Sequence, residues 1–236
     1  MGFTGEKVEK KVEKIGLIID YLRENEEAFN SMEKWQILQT LDNEYFELHN
    51  HICLQLYDEL GLLDDSMNPY KAFSELVNEQ FNIKDKNIIE IGGGNIPRLA
   101  KRISAMQENG TITVYDPNLY IKNEDASTSK LKLVKRRFYS ILNVDKADLL
   151  IGLLPCGSST VIVNSAVKNN KDFMIALCDS HNSLECFDEY DEDLGWPFNF
   201  IDEASKTVEE NNMGKLKVKY LKEVGNNYPI IYNERG

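Results

Sequence analysis

Apolar residues in the first 80 positions recur at spacings of three and four, which is the period of amphipathic helices. Ser31 lies where a helix would be N-capped, Gly61 where that helix would stop, and Asn68-Pro69 where the next helix would begin. Strand-like runs begin after residue 86. The pattern therefore predicts a helical region at 1–81, acting as a lid, a substrate-recognition element or a homodimer contact, and a second unit at 82–236.

The rest of the chain alternates short β-branched runs with helical stretches, which is typical of a mostly parallel α/β sheet. Ligands of such sheets bind at the carboxyl ends of the strands. The last two runs are joined by a short connection and are predicted to pair antiparallel. The predicted strands are Asn87–Ile91, Thr111–Tyr115, Leu131–Val134, Leu149–Leu154, Phe173–Leu177, Leu216–Leu221 and Tyr228–Tyr232.

Charge is distributed unevenly along the chain. The 236 residues include 27 Lys and Arg against 39 Asp and Glu, a formal net charge of −12. This acidity disfavours a general nucleic-acid coat protein, although residues 81–150, with 12 bases and 8 acids, would attract an anion. There is no apolar run near the ~20 residues of a membrane span, and cysteines are scattered. We therefore expect a soluble cytoplasmic protein with no membrane partner.

The most informative segment is Glu90-Ile91-Gly92-Gly93-Gly94-Asn95-Ile96, where the first predicted strand turns into a helix. Backbone N–H groups and a helix N-terminus can approach a ligand closely where side chains are absent. Asp116 ends the second predicted strand, 22 residues after Gly94, where an acid can accept hydrogen bonds from both ribose hydroxyls. The order strand, glycines, helix, strand and acid predicts a site for a nucleoside cofactor.

This segment resembles the E/D-x-G-x-G motif of class I S-adenosylmethionine (SAM) methyltransferases, a family with a seven-stranded Rossmann-like sheet and helices on both faces. The resemblance covers about residues 82–232. Ile96 stands where many members carry a third glycine. A dinucleotide fingerprint, and hence an NAD-dependent oxidoreductase, is the alternative, but Pro97 occupies its third glycine position.

The resemblance implies SAM as cofactor and assigns roles to several residues. Glu90 would lie near the amino-acid part of SAM, the glycine loop would pass beneath it, and Asp116 would hold the ribose. Aromatic residues after the third strand would contact the adenine. The implied cofactor site comprises Glu90, Gly92, Gly93, Gly94, Asn95, Asp116, Pro117, Phe138, Tyr139, Leu153 and Leu154.

The segment Ile151–Thr160 is similar to methyltransferase-like proteins that carry G-L-H-x-C-G, some of which modify RNA. Leu154 stands where those proteins have His, so the resemblance transfers no role of that His. An Asp/Asn-Pro-Pro-aromatic motif for adenine amino groups is missing. The methyl acceptor therefore stays open between a small molecule and RNA.

No catalytic residue is fixed by the sequence. The candidates are Cys156, Asp179 and His181, near the carboxyl ends of the fourth and fifth predicted strands. Cys178, His181 and Cys186 have the spacing C-x2-H-x4-C, which is not a standard zinc pattern, so no metal is predicted. Two further alternatives are a SAM-binding protein without catalysis and a transferase that moves the aminopropyl arm of SAM.

Overall fold

The computed structural model describes residues 58, 61, 63, 65, 68–119, 128–139, 144–177, 197–221 and 228–235, without the side chain of Cys156. The helices predicted before residue 58 and the candidates Asp179 and His181 lie outside these residues. Within the described part, no helix is both long and apolar enough to cross a membrane.

Seven strands form one sheet in the order β3-β2-β1-β4-β5-β7-β6. All neighbours are parallel except β7, which runs antiparallel to both β5 and β6. The expected α/β class and the antiparallel final pair are thus confirmed. The strands are β1 (Asn87–Ile91), β2 (Thr111–Tyr115), β3 (Leu131–Val134), β4 (Leu149–Leu153), β5 (Asp172–Ala176), β6 (Lys215–Tyr220) and β7 (Pro229–Glu234).

Helices cover both faces of the sheet, as predicted. On one face, the core includes apolar residues of helices α1 and α2, and on the other face it includes those of α3 and α4. Strands β4 and β5 are buried almost throughout because helical layers enclose them, whereas β2 alternates between buried and half-buried residues. The helices are α1 (Pro69–Phe81), α2 (Arg98–Met106), α3 (Ser159–Lys168) and α4 (Phe198–Glu210).

Helix α1 begins where the sequence predicts. The side chain of Asn68 accepts hydrogen bonds from the backbone N–H groups of Tyr70 and Lys71, at 3.1 Å each, and Pro69 occupies the first helical position. Phe73 is fully buried in the core on the α1 and α2 face. Helix α1 therefore packs into the core of the sheet although it precedes residue 82, the predicted start of the second unit.

Strand β4 is one residue shorter than predicted, because Leu154 leaves the strand with a φ of +52°. A left-handed backbone is unfavourable for leucine, and Pro155 disfavours it further. The Leu154 N–H nevertheless donates to the Ala176 carbonyl at 2.9 Å. The chain is thus turned sharply at the carboxyl end of β4, beside the end of β5.

The packing of α1 leads to a stability prediction. Phe73→Ala leaves a cavity in the core, and we expect a loss of about 3–5 kcal/mol in the free energy of unfolding. The matched control is Phe198→Ala, since Phe198 is 57% exposed at the start of α4. Urea unfolding followed by circular dichroism measures both. A Phe73→Ala variant as stable as the control would show that α1 is not part of the core.

Candidate functional site

The glycine turn after β1 brings three elements into close contact. Gly92 and Gly94 have φ values of +79° and +73°, which residues with a Cβ rarely adopt. A Cβ on Gly92 would lie 3.0 Å from the Cα of Pro155, and one on Gly93 would overlap Val114. Side chains are therefore excluded here, and the turn lies directly between the carboxyl ends of β2 and β4.

Asp116 connects the glycine turn to the loop after β2. One of its carboxylate oxygens accepts the Gly94 N–H at 2.9 Å, and the other accepts the Asn118 N–H at 2.7 Å. The Asn95 side chain donates to the Asn118 carbonyl at 2.8 Å, which is a second link between the glycine turn and the loop after β2. Each carboxylate oxygen can accept more than one hydrogen bond, so Asp116 retains acceptor capacity for a ligand.

Glu90 and Asp116 are two buried carboxyl groups at this point, and the charge of Asp116 acts on Glu90. Burial raises the pKa of Glu90 to about 8, with a further increase from the negative charge of Asp116, while the Ala100 backbone N–H opposes it. Burial also raises the pKa of Asp116, and its bonds to the Asn118 and Gly94 N–H groups oppose that shift. The Oε2 atom of Glu90 is buried and has no hydrogen-bond partner among the described residues. Glu90 is therefore mostly a neutral acid at pH 7.

The carboxyl end of β4 supplies an apolar wall. Leu153 and Leu154 are half-buried, and Pro155 is buried beneath the glycine turn. Cys156 begins a 3-10 helix, Cys156–Ser158, that leads into α3. The side chains of Leu153, Leu154 and Pro155 carry no group that could accept a proton.

The two aromatic residues after β3 have different surroundings. Phe138 is buried in the core, where its ring meets the Tyr115 ring edge-to-face at 5.3 Å between centroids. The Arg136 guanidinium lies 5.5 Å from the centroid of the Tyr115 ring. Tyr139 is 54% exposed. Of the two, Tyr139 is thus the residue that offers a free ring face, and an adenine contact by either residue remains a prediction.

The structure adds residues that the sequence analysis did not single out. Asn118 completes the Asp116 turn, and the Asp-Pro-Asn sequence is a signal for such a turn. Tyr70 is buried, and its pKa is raised by burial and by the negative charges of Asp58 and Glu90. Asp58 is itself buried. No local pattern marks Asp58 or Tyr70, because Asp58 pairs with the distant residues Arg98 and Arg102 and Tyr70 is buried by the packing of α1 into the core.

Comparisons with known proteins give similarity at the level of structure. No protein-family model matches the chain, and no curated protein matches its sequence. Human N-acetylserotonin methyltransferase in complex with SAM aligns over 100% of this chain and 68% of its own, with 14% identity and a TM-score of 0.47. Two other solved structures align over somewhat less of the chain.

The first of these is a SAM-dependent O-methyltransferase from Thermotoga maritima, with 12% identity over 72% of this chain and 71% of that chain, and a TM-score of 0.46. The second is the Aeropyrum pernix fibrillarin with natively bound SAM, with 14% identity over 70% and 76%, and a TM-score of 0.43. The assignment of the α/β fold rests on the strand order, and that of the candidate site rests on the geometry of the glycine turn. Neither rests on these alignments.

The burial of Glu90 predicts how stability depends on pH. The unfolded chain ionises this group near its ordinary pKa of 4.5, whereas the folded chain holds the proton to about pH 8. Glu90 therefore destabilises the fold increasingly between these values. The stability of Glu90→Gln relative to wild type should rise by about 2–4 kcal/mol from pH 5 to pH 8.5. Urea unfolding at several pH values measures this. The control is Glu210→Gln, at an exposed carboxylate, and a pH-independent difference for Glu90→Gln would contradict the assignment.

Proposed function

We propose that this protein is a SAM-dependent methyltransferase. The observation that carries the proposal is the junction at the carboxyl ends of β1 and β2, where Asp116 accepts the Gly94 N–H at 2.9 Å and Glu90 lies buried beside it. Ligands of parallel sheets bind at this edge, and a turn without side chains admits a nucleoside to the backbone. The E/D-x-G-x-G resemblance and the observed strand order both support this proposal.

We infer the role of each residue from its position in the candidate site. Asp116 accepts hydrogen bonds from the ribose hydroxyls, and the Gly92–Gly94 turn passes beneath the cofactor. Glu90, whose Oε2 has no partner within the described part of the chain, faces the amino-acid part of SAM. Leu153, Leu154 and Tyr139 border the adenine. SAM carries a positive sulfonium group, and the negative charge of Asp116 favours a cation over a neutral ligand at this site.

The chemistry proposed is an in-line displacement at carbon. The acceptor atom forms a bond to the methyl carbon, the sulfur–carbon bond breaks with its electron pair going to sulfur, and the acceptor releases a proton if it carried one. Positioning and exclusion of water supply much of the acceleration for such a step. The wall of Leu153, Leu154 and Pro155 excludes water but offers no base. Asp179, His181 and Cys156 remain candidate catalytic residues, and small-molecule and RNA acceptors both remain open.

A second candidate function is SAM binding without transfer. It is favoured by the apolar carboxyl end of β4, where Leu153, Leu154 and Pro155 provide no acid or amide to orient an acceptor. A third, NAD-dependent oxidation, is disfavoured because Pro97 precedes α2 at the third glycine position of a dinucleotide fingerprint.

Calorimetric titration and product analysis test these functions together. We expect SAM and its demethylated product to bind, and NAD not to bind. Incubation with methyl-labelled SAM and pools of small molecules or RNA should then yield a labelled acceptor, whose mass distinguishes methyl from aminopropyl transfer. Binding without any transfer would favour the second function, and binding of NAD alone would overturn the proposal.

The role of Asp116 can be isolated with one isosteric substitution. Asp116→Asn removes the charge and one acceptor, and we expect SAM to bind at least about tenfold more weakly, a cost of ~1.4 kcal/mol. Asp148→Asn is the matched control, since Asp148 accepts the Asn87 N–H at 2.8 Å at the start of β1, away from the carboxyl ends of the strands. Calorimetry gives both dissociation constants. Wild-type affinity in Asp116→Asn would exclude the proposed ribose contact.

A further inference from the structure

Asp58 is a buried carboxylate enclosed by cationic and amide donors. Its side chain is 2% exposed, and it accepts hydrogen bonds from Arg98 Nε and Arg102 Nη2, each at 2.7 Å. The Asn68 side-chain amide donates to the same carboxylate, and Arg98 Nη2 donates to the Asp58 backbone carbonyl at 3.1 Å. The arginines and Asn68 come from two different helical segments, so Asp58 joins parts of the chain that are far apart in sequence.

Asn68 makes this junction part of the start of α1. Its side-chain oxygen accepts the backbone N–H groups of Tyr70 and Lys71, while its amide nitrogen donates to Asp58. The same side chain thus caps α1 and holds the carboxylate. Displacing Asp58 would remove one of the two functions of Asn68.

Arg98 connects the junction to the glycine turn. Arg98 is the first residue of α2, and its backbone N–H donates to the Ile96 carbonyl at 2.8 Å. Two residues further along, the Ala100 N–H faces the Glu90 carboxyl group. The Arg98 side chain therefore connects the start of α2, four residues after Gly94, to Asp58.

The charges explain why a carboxylate is needed at this place. Arg98 and Arg102 are four residues apart in α2, so their like charges repel, and cations are unfavourable near a helix N-terminus. Asp58 lies between the two guanidinium groups. Burial by itself would raise the pKa of Asp58, but the hydrogen bonds from Arg102, Arg98 and Asn68 together lower it, so the group is ionised at neutral pH.

We propose that Asp58 is a positioning residue for the cofactor site. Asp58 holds the N-termini of α1 and α2 together and thereby fixes the glycine turn. The effect of Asp58 on SAM binding rests on the proposed function. The effect of Asp58 on the glycine turn does not depend on which ligand binds. Asp58 makes this contribution from the N-terminal side of the predicted domain boundary.

The test compares two Asp→Asn variants that each remove an ion pair to arginine. Asp58→Asn should weaken binding of SAM and of its demethylated product by about tenfold or more at 15 °C, below the unfolding transition. Asp172→Asn is the matched control, because Asp172 pairs with Arg235 at 2.6 Å at the start of β5, the opposite end of the strand from the site. Calorimetry gives the affinities, and thermal unfolding shows whether the two variants lose similar stability.

Wild-type affinity in Asp58→Asn would overturn the proposal, as would an equal loss in both variants. If Asp58→Asn does not fold, Arg98→Lys replaces it, since lysine keeps the charge but cannot bond the Asp58 side chain and carbonyl together in the same way. A weakening of SAM binding by several-fold is then expected, and unchanged affinity in Arg98→Lys would overturn the proposal.

Amide hydrogen exchange of the ligand-free protein separates this proposal from the proposed function. Faster exchange in the peptide covering residues 92–98 is expected in Asp58→Asn and not in Asp172→Asn. If wild type failed to bind SAM while exchange changed in this way, the methyltransferase proposal would fail and Asp58 would still position the turn. Unchanged exchange in Asp58→Asn would refute the positioning role.

Discussion

The site depends on holding Glu90 and Asp116 close together at the carboxyl ends of adjacent parallel strands. The negative charge of Asp116 raises the cost of ionising the buried Glu90, and backbone N–H groups offset part of the cost of burying the two carboxyl groups. Gly94 and Asn118 supply them to Asp116, and Ala100 supplies one to Glu90. The Gly94 N–H belongs to a turn whose left-handed backbone and close packing favour glycine.

The surrounding structure keeps this turn in place from two sides. Pro155 and Val114 leave no room for a Cβ on Gly92 or Gly93. On the other side, Asp58 balances the charges of Arg98 and Arg102 at the start of α2. The turn is therefore determined both by packing and by electrostatics, and a change in either would alter the geometry offered to a cofactor.

The proposed chemistry is consistent with an apolar surface beside two acids. In the proposed function, a positively charged sulfonium is favoured by the negative charge of Asp116, and transfer of its methyl group benefits from the apolar side chains of Leu153, Leu154 and Pro155, which limit the access of water. The left-handed backbone of Leu154 is a local strain at this position.

Periodicity, capping and turn chemistry are local signals, and they were sufficient to predict the α/β class, the strand runs, the start of α1 at Asn68 and the pairing of a glycine turn with Asp116. The predicted β4 included Leu154, because a left-handed turn before Pro155 has no local signature in the sequence. Whether an aromatic residue is buried, as Phe138 is, or exposed, as Tyr139 is, was decided by tertiary packing. The positions of Asp58 and Tyr70 also depend on tertiary packing. The contact of Asp58 with Arg98, for example, joins residues that are 40 positions apart in the sequence.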